Sequence, residues 1–150
     1  MAIEDNGISL GALDTLVGYH IRRASSLMAT DFTNAMAGTG IRQVLFGVLS
    51  IIAANPGINQ SRIGEALGIQ RANMVSLINE LMAADFLTRK VSPDDRRAFV
   101  FELTAHGEHV VADALARIRQ HEERLLSGFS AAERALLVEM LTRIEAVPLE

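Results

Sequence analysis

Residues 87–107, which read LTRKVSPDDRRAFVFELTAHG, constrain the fold more than any other part of the chain. Within them, the run SPDD at positions 92–95 is typical of a turn. After this turn, Phe99, Phe101 and Leu103 alternate with smaller or polar residues at the period of a β-strand. We therefore expect two short strands that are joined by a polar loop with two arginines, and that pack an apolar face against neighbouring helices.

The length and composition predict one domain built mainly of helices. A chain of 150 residues can bury a sizeable core without disulfides. It contains no cysteine, which excludes disulfides and thiolate metal sites. No apolar run reaches the roughly 18 residues that cross a bilayer, and the first residues, MAIEDNG, lack the order of a signal peptide. We therefore expect a cytoplasmic protein with no membrane partner.

Charge is distributed unevenly along the chain. The net charge of -4 disfavours a nucleic-acid partner when it is considered alone. Positions 62–97, however, hold six basic and five acidic residues, so this part carries +1 and the remainder carries -5. The acidic excess therefore lies outside positions 62–97.

Helical patterns occupy most of the remaining sequence, because apolar residues recur there at intervals of three and four. The predicted helices cover about 10–36, 41–55, 59–67, 70–84 and 104–128, and a last one begins at Ser130. Asn59 is a favourable N-cap, and Ser130 with Glu133 has the spacing of a capping box. The predicted fold class is mainly α with one small β-hairpin.

Two of these helices, 59–67 and 70–84, are separated by a turn at Gly68 and fit a helix-turn-helix. The apolar residues of the second helix are expected to face the core: Met74, Leu77, Ile78 and Leu81. The opposite face then presents Arg71, Asn73, Ser76 and Asn79. Short polar side chains let a helix approach the major groove, where Asn bonds adenine and Arg bonds guanine. We therefore predict that these four residues contact DNA, and the alternative is a solvated helix face.

The hairpin extends this prediction, because a two-stranded ribbon beside such a helix forms a wing. Arg96 and Arg97 at its tip can reach the minor groove, where negative potential is focused. Arg89, on the first strand, is included among the predicted DNA contacts. We expect Asp95 to orient the Arg97 guanidinium through a charge-assisted hydrogen bond. The alternative is a flexible charged loop.

The order of the elements divides a single domain, residues 1–150, into two predicted lobes. Residues 41–103 form the DNA-binding lobe. Residues 8–37 and 104–147 contain long helices with apolar stripes that are too wide to be buried on so small a neighbour. We expect these helices to interleave with those of a second copy across a two-fold axis. The alternative is that they fold back on their own lobe.

Two blocks of the sequence carry a resemblance to a known family: LGIQRANMVSLINEL at 67–81 and DDRRAFVFELTAHG at 94–107. The second block matches a pattern of Asp-Arg-Arg followed by Leu-Thr-x-x-Gly. In both, the chain resembles the MarR family of winged helix-turn-helix transcriptional regulators. The resemblance implies a homodimer that binds a pseudo-palindromic operator in double-stranded DNA, usually as a repressor. It also implies release by a small aromatic or phenolic ligand.

Four positions depart from the pattern of that family. Gln70 is a poorer N-cap than the usual Ser or Thr. Ser76 stands where many relatives carry a basic residue, and position 80 is Glu80, so fewer phosphate contacts and weaker non-specific affinity are expected. Asp85 stands where a glycine usually ends the recognition helix, although Asp tolerates the left-handed conformation better than most residues. These departures affect the operator sequence more than the fold.

A ligand cleft between the helical and DNA-binding lobes would be lined by Tyr19, His20 and Phe46, which supply aromatic and polar groups. A ligand wedged there would favour a dimer whose recognition helices are wrongly spaced for DNA.

Histidines raise the alternative of a zinc-responsive regulator. His106 and His109 lie three residues apart, and a site would form only if another ligand, such as His20 or Asp31, approached them. We predict no metal and no cofactor.

The sequence gives no support to an enzyme. It contains no nucleophile elbow, no glycine-rich phosphate loop and no HExxH motif. The remaining rival to a DNA-binding regulator is a winged-helix module whose acidic surface docks another protein.

Overall fold

The computed structural model describes residues 8–148 and is dominated by helices around a small antiparallel sheet. A 3-10 helix, Gly11–Thr15, is followed by α1 Val17–Ala35, α2 Gln43–Ala54, α3 Gln60–Leu67, α4 Arg71–Ala83, α5 Ala105–Leu125 and α6 Ala131–Glu145. The strands are β1 Ile58–Asn59, β2 Leu87–Val91 and β3 Phe99–Leu103. The predicted fold class, mainly α with a hairpin wing after a helix-turn-helix, is confirmed.

The core lies where α2, α3, α4 and the sheet meet. Its most deeply buried side chains are Val48, Leu49, Ile52, Ile63, Met74 and Leu81. All four residues of α4 that were predicted to face inward are buried. Burial of each such side chain stabilises the fold by about 1.5 to 3 kcal/mol relative to leaving it exposed. The hydrophobic effect therefore fixes which face of α4 remains outside.

Three predicted helix ends are confirmed. The Asn59 side chain accepts a hydrogen bond from the backbone amide of Arg62 and caps α3. Gly68 ends α3 in the left-handed conformation, with φ 64°. Ser130 and Glu133 form a reciprocal capping box at the start of α6. These local signals set the boundaries because each satisfies backbone groups that a helix end leaves unpaired.

The sheet has the strand order β1–β3–β2, and both pairs are antiparallel. The hairpin of β2 and β3 is the predicted one. β1 is an addition to the prediction, because a strand of two residues offers no alternation to detect. It pairs Ile58 with Phe101, and both side chains are buried. β1 thus ties the hairpin to the start of α3.

Backbone contacts join the base of the hairpin to α4 and α5. Asp85 follows α4 in the left-handed conformation, with φ 58°, as its tolerance for that region predicts. The Thr104 hydroxyl donates to the Asp85 carbonyl at 2.6 Å, and its oxygen accepts from the Gly107 amide at 2.9 Å. A Cβ on Gly107 would lie 2.1 Å from the Phe86 carbonyl oxygen, so glycine is required there. The Leu-Thr-x-x-Gly pattern therefore clamps α5 to the turn between α4 and β2.

The N-terminal helical region differs from the predicted single helix over 10–36. Leu16 is extended, with φ -87° and ψ 112°, and it separates the 3-10 helix from α1. Apolar spacing continues across this residue, so the pattern detects the stripe and misses the break. No helix between residues 8 and 148 combines the length and the apolar composition that crossing a bilayer requires.

A large apolar surface is left uncovered on the terminal helices of the single chain. The 3-10 helix and α6 bury no residue, and α1 buries only Asp31 and Ala35. The exposed apolar side chains include Leu13, Leu16, Val17, Leu27, Leu136, Leu137, Val138, Met140 and Ile144. An apolar surface of this kind marks an interaction site. The alternative that these helices fold back on their own lobe does not hold for α6.

A buried carboxylate joins α1 to α5. Asp31 is 7% exposed, and its Oδ1 accepts hydrogen bonds from His121 Nδ1 at 2.9 Å and from the Arg124 guanidinium at 2.7 Å. The hydrogen bond from His121 is the main cause that lowers the pKa of Asp31; the bond from Arg124 adds to it, and burial opposes both. Because the folded state then binds a proton less readily than the unfolded state, the cluster stabilises the fold above the ordinary pKa of Asp and is lost in acid.

We predict that Asp31→Asn lowers the free energy of unfolding by about 1 to 3 kcal/mol at neutral pH, because the charged acceptor is lost. The difference in unfolding free energy between variant and wild type should shrink as the pH falls below 3.8, the ordinary pKa of Asp. In that range the unfolded wild type binds a proton at Asp31 more readily than the folded state does, so the wild type loses the stability that the carboxylate contributes. Urea denaturation at a series of pH values and one fixed protein concentration measures this. A difference that does not change with pH would contradict it.

The matched control is Asp113→Asn. Asp113 accepts from Arg117 at 2.8 Å on the surface of α5, and its side chain is 60% exposed. An exposed pair of this type contributes about 0.5 kcal/mol or less, so the control should unfold almost as the wild type does.

Candidate nucleic-acid interface

The exposed face of α4 is mostly polar and, apart from Arg71, its side chains are short; Val75 is an exposed apolar residue on the same helix. Arg71, Asn73, Ser76 and Asn79 all lie on the surface, as predicted, while the apolar side of the helix is fixed in the core. Arg42, at the start of α2, lies beside this face and pairs with Glu80 of α4. Because the side chains are short, a flat or convex partner can approach the helix closely.

The turn between α3 and α4 fixes the position of that face. The Ile69 amide donates to the Gly64 carbonyl at 2.8 Å. A Cβ on Gly64 would lie 2.9 Å from the Ile69 carbonyl oxygen and 3.1 Å from the Met74 side chain. The close approach of the two helices therefore depends on a glycine in α3.

The tip of the wing is a closed turn with arginines at its centre. The Ala98 amide donates to the Asp95 carbonyl at 3.0 Å, and the Ser92 amide donates to the Ala98 carbonyl at 2.9 Å. Arg96 and Arg97 are the two central residues of this turn, and both are exposed. These two backbone hydrogen bonds close the turn and join it to the end of β2, which disfavours the alternative of a flexible charged loop.

Asp95 orients this turn through the backbone. Its Oδ1 accepts from the Arg97 amide at 2.9 Å, and within residues 8–148 no ion pair joins Asp95 to the Arg97 guanidinium. The predicted bond to the guanidinium is therefore wrong. A short Asp side chain reaches the amide two residues ahead more readily than the end of a long, exposed arginine. The guanidinium is consequently left available to a partner.

Arg89 is held by an aromatic ring on the neighbouring strand. Its guanidinium lies 4.3 Å from the centroid of Phe99. The sequence pattern assigns Phe99 to the buried face of the hairpin, but only Phe101 is fully buried, and Phe99 is 43% exposed. Phe99 lies at the end of β3 nearest the wing tip, outside the core, and the Arg89 guanidinium packs over its ring. Lys90 and Glu102 pair across the other face.

The arginines of this surface fall into two groups. In the part of the chain that the structure describes, residues 8–148, no carboxylate lies within salt-bridge distance of Arg71, Arg89, Arg96 or Arg97. Arg42, in contrast, is paired with Glu80. Uncompensated guanidinium groups beside a polar helix create a local positive potential on a chain whose net charge is -4.

The predicted ligand-lining residues lie in two places. Tyr19 contacts the His20 ring edge to face and accepts a hydrogen bond from Arg23 at 3.2 Å. Phe46 contacts Phe32, with ring centroids 6.2 Å apart. Thirteen residues of helix separate Tyr19 from Phe32, which places the two aromatic pairs about 20 Å apart along the axis of α1. A single chain therefore does not bring Tyr19, His20 and Phe46 together around a compact ligand.

The histidines do not assemble into a metal site. His20 Nε2 donates to the Asp14 carbonyl at 2.9 Å, and His109 Nδ1 donates to the Ala105 carbonyl at 2.7 Å. The His106 ring packs against Phe86. Within residues 8–148, no three His, Asp or Glu side chains lie close enough to hold a metal ion. The zinc-responsive alternative therefore gains no support.

Comparison with known proteins shows the family to which this chain belongs. The model of the MarR family matches residues 41–98, which run from just before α2 to the end of the wing loop. A protein of Thauera aromatica, assigned as a transcriptional regulatory protein for the hcr operon, is 34% identical over 139 residues, which cover 89% of this chain and 81% of that protein. The chain belongs to the MarR family. The relatives that it matches are transcriptional regulators.

Solved structures of a MarR-family repressor share the fold over nearly the whole chain. The transcriptional repressor CouR, bound to a 23-mer DNA duplex, has a TM-score of 0.86 and 34% identity, and the match covers 92% of this chain and 98% of that one. CouR bound to p-coumaroyl-CoA has a TM-score of 0.79 and 31% identity, over 93% and 98% of the two chains. The likeness therefore includes the terminal helices, which the family model does not reach.

Sequence reasoning missed two parts of this surface, the ring that supports Arg89 and the partner of Glu80. The spacing of Arg89 and Phe99 on paired strands was the available signal for the first, because diagonal neighbours on a hairpin can be within reach of long side chains. Arg42 and Glu80 are 38 residues apart, and no local pattern connects them.

We predict that Arg89 and Phe99 are energetically coupled. A double-mutant cycle with Arg89→Ala and Phe99→Leu should give a coupling energy of about 0.5 to 1 kcal/mol in the free energy of unfolding, since the ring face attracts the guanidinium. Denaturant unfolding of the four proteins measures it. The control cycle pairs Phe99→Leu with Arg96→Ala, which should show no coupling; equal coupling in both cycles would contradict a specific contact.

Proposed function

We propose that the protein is a homodimeric transcriptional repressor that binds a pseudo-palindromic operator in double-stranded DNA. Residues 41–103 form its DNA-binding lobe, and residues 8–37 and 104–147 form its dimerisation lobe. Helix α4 enters the major groove through Arg71, Asn73, Ser76 and Asn79. The wing places Arg97 in the flanking minor groove, with Arg89 and Arg96 beside it. The protein would act in the cytoplasm, where its operator lies.

The observation that carries this proposal is the combination of a mostly polar exposed face on α4 with a wing tip whose arginines have no carboxylate partner among residues 8–148. Arginine and asparagine side chains are suited to base edges, and guanidinium groups are suited to the minor groove and to phosphates. CouR, a relative with 34% identity, is bound to a DNA duplex. This favours DNA as the partner over a protein docked on the acidic surface.

The dimer is supported by the terminal helices. Their apolar side chains are exposed in the single chain, and α6 buries none of its residues there. A second copy related by a two-fold axis would cover both surfaces at once. The same symmetry would present two copies of α4 to one face of the duplex, with half-sites about 10 base pairs apart, centre to centre.

The prediction for DNA binding concerns Arg97. The operator would be selected from random duplexes, and its affinity measured by fluorescence anisotropy over a range of salt concentrations. Affinity should fall steeply as salt rises, and Arg97→Ala should weaken binding by about 1 to 3 kcal/mol. Arg119→Ala, on the exposed surface of α5, removes the same charge and should have little effect. If no duplex is bound, or if Arg97→Ala binds as the wild type does, the protein-docking alternative is favoured.

We further propose that the effector is an aromatic acyl-CoA thioester. CouR is bound to p-coumaroyl-CoA in one of its structures, which is consistent with the aromatic ligand that the family resemblance implies. The candidate lining residues Tyr19 and His20 lie about 20 Å along α1 from the Phe46 pair, so a compact phenol could not contact both within one chain. An elongated thioester could reach further, and a second copy could bring the two regions together. Binding would favour dimers whose recognition helices are wrongly spaced.

The prediction for the effector compares p-coumaroyl-CoA with p-coumaric acid. The thioester should release the operator complex at lower concentration than the free acid, because it makes additional polar contacts. Phe46→Ala and Tyr19→Ala should each weaken thioester binding, as measured by calorimetry, while DNA affinity without effector stays near that of the wild type. Release by neither compound, or equal release by both, would contradict the proposal for the thioester and leave the DNA proposal intact.

A further inference from the structure

An ion pair links the start of α2 to the end of the proposed recognition helix. The Arg42 Nη2 atom lies 2.5 Å from Glu80 Oε2, although the two residues are 38 positions apart in the chain. The side chains are 59% and 46% exposed. An exposed pair of this kind contributes little to the stability of a fold, because solvent screens it and both side chains lose rotamer entropy. Its position is therefore more informative than its strength.

The pair stands at the border of the DNA-facing surface. Arg42 and Glu80 line a concavity of about 620 Å³ together with Gln70, Asn73 and Ser76, and two of these, Asn73 and Ser76, belong to the polar face of α4. Arg71 lines a second concavity with residues of α3, and the two concavities share Gly68, Ile69 and Gln70. Arg42 thus lies beside the face of α4 that carries Asn73, Ser76 and Glu80.

The chemistry of the pair suits a phosphate. A carboxylate at position 80, alone, would repel the DNA backbone when α4 enters the groove. A guanidinium has five N–H donors, and one bond to Glu80 leaves others for a second anion. Arg42 can therefore stay bonded to Glu80 and donate to a phosphate at the same time. Its exposure leaves that approach open.

We propose that Arg42 contacts a backbone phosphate beside the recognition helix, and that Glu80 is a positioning residue that holds the guanidinium there. The inference depends on the proposed DNA-binding function. It assigns a DNA contact outside α4 and the wing. It also reverses the expectation that Glu80 only removes a phosphate contact, because the carboxylate supplies one indirectly through Arg42.

The experiment measures the affinity of Arg42→Ala, Glu80→Gln and the double variant for the selected operator and for a random duplex, over a range of salt concentrations. Arg42→Ala should weaken binding to both duplexes alike, roughly three- to tenfold, and lower the magnitude of the salt slope by about one. Glu80→Gln should weaken binding when Arg42 is present. In the Arg42→Ala background it should have no effect or strengthen binding, since only the repulsion from phosphates is then removed.

Arg117→Ala is the matched control, because Arg117 also forms an exposed ion pair, with Asp113 on α5. It should leave both affinity and salt slope unchanged. Thermal unfolding and light scattering would verify that each variant is folded and has the same oligomeric state as the wild type.

The outcomes separate this inference from the proposed function. If the wild type binds no duplex, the proposed function fails. If the wild type binds with a steep salt slope and Arg42→Ala matches it in affinity and slope, the phosphate contact is refuted and the proposed function stands. If Glu80→Gln has the same effect in both backgrounds, the positioning role of Glu80 is refuted.

Discussion

The close approach of Gly107 to the Phe86 backbone is the contact on which the position of α5 relative to α4 and the hairpin depends. It lies where α4 has just ended, β2 is about to begin and α5 starts, so one clamp sets the angle among the recognition helix, the wing and the longest helix. The Thr104 hydroxyl completes it by bonding to the Asp85 carbonyl at 2.6 Å. Because the contact is made by backbone atoms, it transmits position without depending on side-chain rotamers. A shift of α5 would therefore displace the turn between the end of α4 and the start of β2.

Much of the fold follows from local chemistry that the sequence displays. The caps at Asn59 and Ser130, the turn at Gly68 and the buried side of α4 are each determined by a few neighbouring residues, and all agree with the structure. One local expectation differs, and one element was not predicted. Leu16 interrupts the first helix although its apolar stripe continues, and β1 is too short to leave a pattern. Periodicity reports which face is apolar, and it does not report where single residues leave the helix.

The candidate site was less predictable than the fold because its contacts are tertiary. The sequence predicted which side chains of α4 and of the wing tip would contact DNA, and these side chains are exposed in the structure. What holds them could not be read, since Phe99 supports Arg89 across two strands and Glu80 reaches Arg42 over 38 residues. Asp95 shows the same limit at short range, because it bonds to the Arg97 amide and not to the guanidinium.

The exposed apolar surface of α6 links the folding of this helix to the association of two chains. Residues 41–103 contribute most of the buried core, including Leu49, Ile63 and Met74, whereas α6 buries no side chain in its own chain. If a second copy supplies that missing contact, protein concentration enters the free energy of the ordered state by mass action. Below the dissociation constant of the dimer, the concentration of molecules able to bind two half-sites then rises with the square of the amount synthesised. The occupancy of an operator by such a repressor would therefore depend on the repressor's own concentration even in the absence of an effector.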